Sequence, residues 1–300
     1  SLVPIQLLEK VIKKFNISDD AEVTFELNPD DAEPDYLKSL HGIGINRLSI
    51  GSQTFNDNIL KLIGRRHNSA QIFSAVSVAK NAGFKNISVD LIYGLPNQTI
   101  EGLDKDLDKF LSLQIQHIST YGLKIEENSI WGKQPPENIP NDDEQADMYL
   151  LINDRLETNG FYRYEVSNFA LECFESRHNL NYWNNSEYYG FGLSAHGYVD
   201  GIRYSNYAIL NKYMENPSKH EFGKFLTEQE KLEEEIFLGF RKTEGIDVNK
   251  IKEKFNVDFD TKYSKVLKKY SDFILKTPQG YALNTKGTML STVILSEFLE

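Results

Sequence analysis

Glu26, Gln53, Asp90 and Tyr121 each sit at the end of a short apolar run, and Arg65 lies in the turn Gly64-Arg65-Arg66-His67. These residue types have the chemistry of a ligand site. Ionised acceptors make the stronger hydrogen bonds, so Glu26 and Asp90 suit a hydroxyl-bearing ligand such as a ribose. Gln53 both donates and accepts, and the Arg65 guanidinium offers a fork for a carboxylate. Asp90 gives the sharpest signal, because it interrupts Ile87, Val89, Leu91 and Ile92 just before Gly94 and Pro96. Burying it without partners would cost several kcal/mol, on the order of a polar-group transfer, so something must hydrogen-bond it. Taken singly, each residue could simply be holding its own loop. Polar groups at four equivalent strand ends point to one shared site.

The elements that carry them repeat. Apolar spacing gives a helix over 4–15, a strand over 22–28, a helix over 33–41 and a strand over 47–51. A short helix to Ile63, a helix from Ser69 to about residue 81, the strand around Asp90, a helix from Thr99 and a strand over 117–123 follow. Strand then helix, four times over, predicts a parallel sheet, closed or open. Such sheets place ligands at the carboxyl ends of their strands. Beyond a longer helix ending at Gly160, residues 161–204 are rich in aromatics, Gly and Asn and read as strands and loops. From about 218 the pattern becomes three helices, a hairpin turning at Pro278-Gln279-Gly280, and a last helix from Gly287. That suggests a small winged-helix-like domain over 218–300 after a first domain over 1–217.

Composition narrows the classes. With 33 basic and 44 acidic residues the formal charge is −11, which repels polyphosphate and argues against nucleic acid as a partner. A single cysteine, Cys173, excludes an internal disulfide and a multi-cysteine metal site built by one chain. No apolar run is long enough for a membrane span or a secretory signal, so a cytoplasmic protein is expected. The chain begins at Ser1 rather than Met, which reads as a fragment or a trimmed chain.

Longer stretches share one pattern. They are Glu26-Leu27-Asn28-Pro29, Arg47-Leu48-Ser49-Ile50-Gly51-Ser52-Gln53-Thr54-Phe55, Gly64-Arg65-Arg66-His67, and Asp90-Leu91-Ile92-Tyr93-Gly94-Leu95-Pro96-Asn97-Gln98-Thr99. His117-Ile118-Ser119-Thr120-Tyr121, Tyr164-Glu165-Val166-Ser167-Asn168-Phe169-Ala170 and His178-Asn179-Leu180-Asn181-Tyr182-Trp183 continue it. Together, and over nearly the whole chain, these resemble the radical S-adenosylmethionine family of oxygen-independent coproporphyrinogen III oxidases and their HemW-like heme-chaperone branch. The resemblance implies an α/β fold, a partial TIM-type barrel of parallel strands that here lacks its first two. It implies that Glu26, Gln53, Arg65 and Asp90 line the S-adenosylmethionine pocket, Glu26 at the ribose hydroxyls, and that Ile92 supports the adenine.

The family's 4Fe-4S cluster is held by a CxxxCxxC motif, which this chain does not contain. Ser1-Leu2 would be the tail of the family's glycine-rich second strand. The chain alone is therefore expected to be inactive, with no catalytic residue and no metal ligand of its own. The strand over 22–28 would then be an open edge needing cover from terminal residues or a partner chain, such as a second copy in a homodimer. The stretch 178–183 resembles the HNxxYW motif of the chaperone branch. By that resemblance His178 is a heme-iron ligand candidate, and Tyr182 and Trp183 offer flat apolar surface to a porphyrin. Heme or a porphyrinogen is the implied cargo, and an apoprotein its receiver. His196 is a weaker ligand candidate, while His67 and His117 read as structural and His41 and His220 as surface residues. The reading is a heme chaperone. The alternative is the oxidase, which converts propionates to vinyl groups by oxidative decarboxylation. A winged-helix regulator would need a basic face after Glu221, where acidic and basic residues are balanced.

Overall fold

In the computed structural model, which describes residues 3–299, twelve strands form three separate sheets. The largest has six strands: β1 (Thr24–Leu27), β2 (Arg47–Gln53), β3 (Asn86–Tyr93), β4 (His117–Gly122), β5 (Tyr162–Arg163) and β6 (Asn168–Ala170). Their order is β1-β2-β3-β4-β6-β5, with β1 to β4 parallel and β6 antiparallel to β4. The predicted strand–helix repeat is thus observed, extended by two antiparallel strands.

The alternation of side chains along each strand explains the layering. Leu48, Ile50, Ile87, Val89, Leu91 and Ile118 point to one face and join a core completed by helices such as Ser69–Asn81 and Ile100–Ser112. Burying each of these side chains contributes about 1.5–3 kcal/mol. Those helices start where polar caps stand. Asn68 and Gln71 form a capping box, and the Thr99 side chain accepts from the Gly102 N–H. The residues between the apolar ones, Arg47, Ser49, Ser88, Asp90, His117 and Ser119, fall on the opposite face, where Arg47, Ser88, His117 and Ser119 are buried as well.

At one end of the sheet β1 is bonded to β2 alone among the described residues. A cleft of about 620 Å³ borders it, lined by Phe25, Glu26, Leu27 and Asn28 and by Ile5 of the helix Val3–Lys14. Ser1 and Leu2, expected to end a glycine-rich strand, lie outside the described residues.

The chain divides into two compact units, with the boundary between Glu175 and Ser176. The aromatic-rich stretch sits in the second unit because its strands β7 (His196–Val199), β8 (Ile202–Asn206) and β9 (His220–Phe225) form an antiparallel sheet of their own. The stretch also contains a helix, Arg177–Trp183, where only strands and loops were expected. Ser176 starts it by accepting the Asn179 N–H. The last part of this unit packs Leu232, Ile236, Ile251, Phe259, Ile294 and Phe298 into a second core. Its small sheet holds β10 (Ile246–Asp247), β11 (Ile274–Lys276) and β12 (Gly280–Leu283), with β11 and β12 as the predicted hairpin. The third helix expected before the hairpin and the last one from Gly287 are each two short ones, Phe259–Lys262 with Ser264–Lys269 and Thr285–Met289 with Ser291–Ser296.

Candidate functional site

Register places the polar residues of the first sheet side by side. Glu26 pairs with Ser49 across β1 and β2, and Asp90 pairs with Ser119 across β3 and β4. The Ser49 hydroxyl donates to Asp90 Oδ1 at 3.3 Å, and Ser119 adds a second hydrogen bond. Burial, and then the charge of Glu26, push the Asp90 carboxyl up to about 6, against the pull of these two serines and of Arg47. The charge of Glu26 is thus felt at Asp90, two strands away. Ile92 follows Asp90 on the same face and pairs with the half-exposed Tyr121.

Gln53 and Arg65 meet over Gly51. A Cβ built on Gly51 would lie 3.0 Å from Gln53 Nε2 and 3.8 Å from both Arg65 Nη1 and Asn28 Oδ1. Arg65 Nη1 in turn donates to Asn28 Oδ1 at 2.9 Å. Gly within a strand marks a place where other groups approach the backbone closely, and here three side chains do so.

This cluster is held from behind. Gln53 has φ +67°, a conformation that a non-glycine residue adopts at some cost. Its neighbour Thr54 donates to the buried Asp106 of the helix Ile100–Ser112 and accepts the Asn56 N–H at 3.1 Å. His67 Nε2 lies 3.3 Å from the Ser52 carbonyl and ties the Arg65 turn to β2. Burial lowers the His67 pKa, and the neutral ring fits a buried structural role. Beyond β3, Gln98 donates to the Ile92 carbonyl at 3.3 Å and accepts the Leu95 N–H at 3.2 Å, which fixes the turn through Gly94. His117 is fully buried between Ser88 Oγ at 2.7 Å and Tyr164 OH at 2.9 Å, and burial holds it neutral.

The polar groups suit S-adenosylmethionine in kind. They comprise two carboxylates for hydroxyls, an amide, and a guanidinium, arranged over a glycine that a side chain would fill. An iron–sulfur cluster is a different matter. Cys173 is the sole cysteine and is exposed, and no group of three His, Cys, Asp or Glu among the described residues could hold a metal. The residues present do not fit the cluster, and no step through it follows from them.

The other candidates stand in the second unit on the helix Arg177–Trp183. His178 is exposed, and its ring meets that of Tyr182, one turn on, edge to face at 4.7 Å. Tyr182 meets Tyr188 in the same way at 4.5 Å. Both Tyr182 and Tyr188 line a cleft of about 620 Å³ with Arg203, Leu226 and Phe237. Trp183 faces elsewhere. It lines a smaller pocket of about 290 Å³ with Glu235, Lys242 and Ile246, and its buried indole N–H has no partner among the described residues. His196 is exposed at the start of β7.

Asn28, Ser49, Gly51 and Ser119 were not singled out as site residues in the sequence. Two signals could have found them: period-two alternation with Asp90, and a glycine inside a strand.

Residues 2–110 match the Radical SAM superfamily and residues 226–273 match the HemN C-terminal domain. The "Heme chaperone HemW" of Lactococcus lactis is 38% identical over 98% of this chain and 79% of its own length. The protein of the same name from Bacillus subtilis is 36% identical over 98% of this chain and 80% of its own. Among solved structures, coproporphyrinogen III oxidase (HemN) from Escherichia coli, a radical SAM enzyme, superposes with a TM-score of 0.86 at 22% identity. That match covers 99% of this chain and 74% of the other.

Proposed function

The chain belongs to the heme chaperone HemW family within the radical SAM superfamily, and we propose on that footing that it binds heme as cargo and S-adenosylmethionine as cofactor. The observation that carries the cargo reading is the pairing of His178 and Tyr182, one turn apart on an exposed helix face. An exposed imidazole backed by a phenol ring can ligate heme iron from one side and leave the porphyrin accessible for transfer. The HemN likeness is one of fold at 22% identity and adds no argument for decarboxylation.

For the cofactor, each residue has a task set by its chemistry. Glu26 and Asp90 accept hydrogen bonds from the ribose hydroxyls, and Ile92 supports the adenine by apolar contact. Gln53 and Arg65 hold the methionyl end, with Asn28 fixing the guanidinium. S-adenosylmethionine, when bound, brings the reactive sulfonium centre of this superfamily. The chain's own part is to bind and orient it.

On the same footing, the six-stranded sheet is read as part of an incomplete barrel and residues 218–300 as winged-helix-like. An apoprotein is the receiver, and a second copy could pair with the edge at β1. No helix among the described residues is long and apolar enough to cross a membrane.

A hemin titration of this chain and of His178→Ala, followed at the Soret band, tests the proposal. The expected result is a saturable, near-stoichiometric band that the substitution weakens. No binding, or equal binding by both proteins, would overturn it.

A further inference from the structure

A ligating histidine works best when its ring plane is fixed by the groups around it. His178 is the first of three rings in a row, followed by Tyr182 and Tyr188. Their centroids are 4.7 and 4.5 Å apart, and successive planes cross at 84° and 87°. In each contact the electropositive edge of one ring meets the electron-rich face of the next. The angle of each ring therefore depends on that of its neighbour.

The far end of the row is anchored. Tyr188 exchanges both backbone hydrogen bonds with Tyr198, at 2.8 and 2.9 Å. Arg203 of β8 donates from Nη1 to the Tyr188 hydroxyl oxygen at 3.3 Å, and its guanidinium lies 4.0 Å from the centre of the Tyr198 ring. The Glu234 carboxylate aims that guanidinium by accepting from Nε at 3.1 Å and from Nη2 at 2.6 Å. Nη2 also donates to Asn185 Oδ1 at 2.8 Å, and the Asn185 N–H donates to the Tyr182 carbonyl at 3.0 Å. One planar fork thus reaches Tyr182 by two routes, through the Tyr188 ring and through the backbone at Asn185. A lysine, with its charge at a single point, could not make all these contacts at once.

We propose that Arg203 is a positioning residue for heme binding. By holding Tyr188 and Asn185 it fixes the Tyr182 ring, and with it the plane of the His178 imidazole. The inference rests on the reading of His178 as the heme-iron ligand.

The test is a hemin titration of the unmodified chain, Arg203→Gln and Tyr188→Phe, each with and without Tyr182→Leu, beside His178→Ala. Arg203→Gln should weaken hemin binding about tenfold and Tyr188→Phe about threefold. Neither should weaken it further once Tyr182→Leu has broken the row. The ferric EPR signal gives a second readout. Its rhombicity follows the plane of the axial imidazole and should change in both variants, which a general loss of stability would not produce. Tyr188→Phe keeps the ion pair of Arg203 with Glu234, so it carries the test if Arg203→Gln does not fold. Unchanged affinity and EPR signal in the folded variants, or an effect that persists in full beside Tyr182→Leu, overturns this inference and leaves the proposed function standing. Hemin binding that ignores His178 overturns both.

Discussion

The polar face of the first sheet and the helix Arg177–Trp183 are two kinds of candidate site, and they differ in how they are held. On the sheet, each functional group is braced by another. Thr54 is tied to Asp106, Ser52 to His67, and Arg65 to Asn28. On the helix, His178 is exposed and Tyr182 is positioned by ring contacts at 4.7 and 4.5 Å. Bracing of the first kind suits a cofactor that must be oriented, because preorganised groups lose little freedom on binding. Exposure of the second kind suits a cargo that must leave.

Substitutions should separate the two regions, and the largest effect is expected behind the sheet. Thr54→Val removes the donor to a buried carboxylate and should cost about 2–3 kcal/mol in urea unfolding. Asp90→Asn should act in the opposite direction. The Asp90 carboxyl titrates at about 6 in the folded chain against 3.8 ordinarily, so ionising it disfavours the folded state. Above pH 6 the Asn variant should therefore be more stable by about 3 kcal/mol, a gain that fades as the pH falls to about 4. The same variant should lose affinity for S-adenosylmethionine, which would show that a stability cost is retained for binding. Arg65→Ala should weaken S-adenosylmethionine binding about tenfold by calorimetry, the loss of one charge-assisted contact. His178→Ala should shift stability by no more than about 0.5 kcal/mol, as for an exposed side chain. A loss of several kcal/mol there would mean the helix is braced like the sheet.

Much of the sheet was legible in the sequence because period-two alternation and strand-ending Gly and Pro are local signals. Ile87, Val89 and Leu91 fix one face, and Asp90 must then lie on the other. The helix over Arg177–Trp183 was not legible, since Asn, Tyr and Trp are middling helix formers and the residues that follow are rich in Asn and Gly. Composition changes near 218, inside the second compact unit. The sheet of β7, β8 and β9 pairs across that point, and strand pairing outweighs composition. Arg47 gave no signal either, because an arginine at the start of a strand reads as a solvated flank. Its burial is a tertiary fact.

The central claim is that two residue sets hold two ligands. It is tested by a crossed titration of S-adenosylmethionine and hemin against the unmodified chain, Arg65→Ala and His178→Ala. The account predicts that Arg65→Ala weakens only S-adenosylmethionine and that His178→Ala weakens only hemin. Hemin binding that depends on Arg65 and ignores His178 would contradict it.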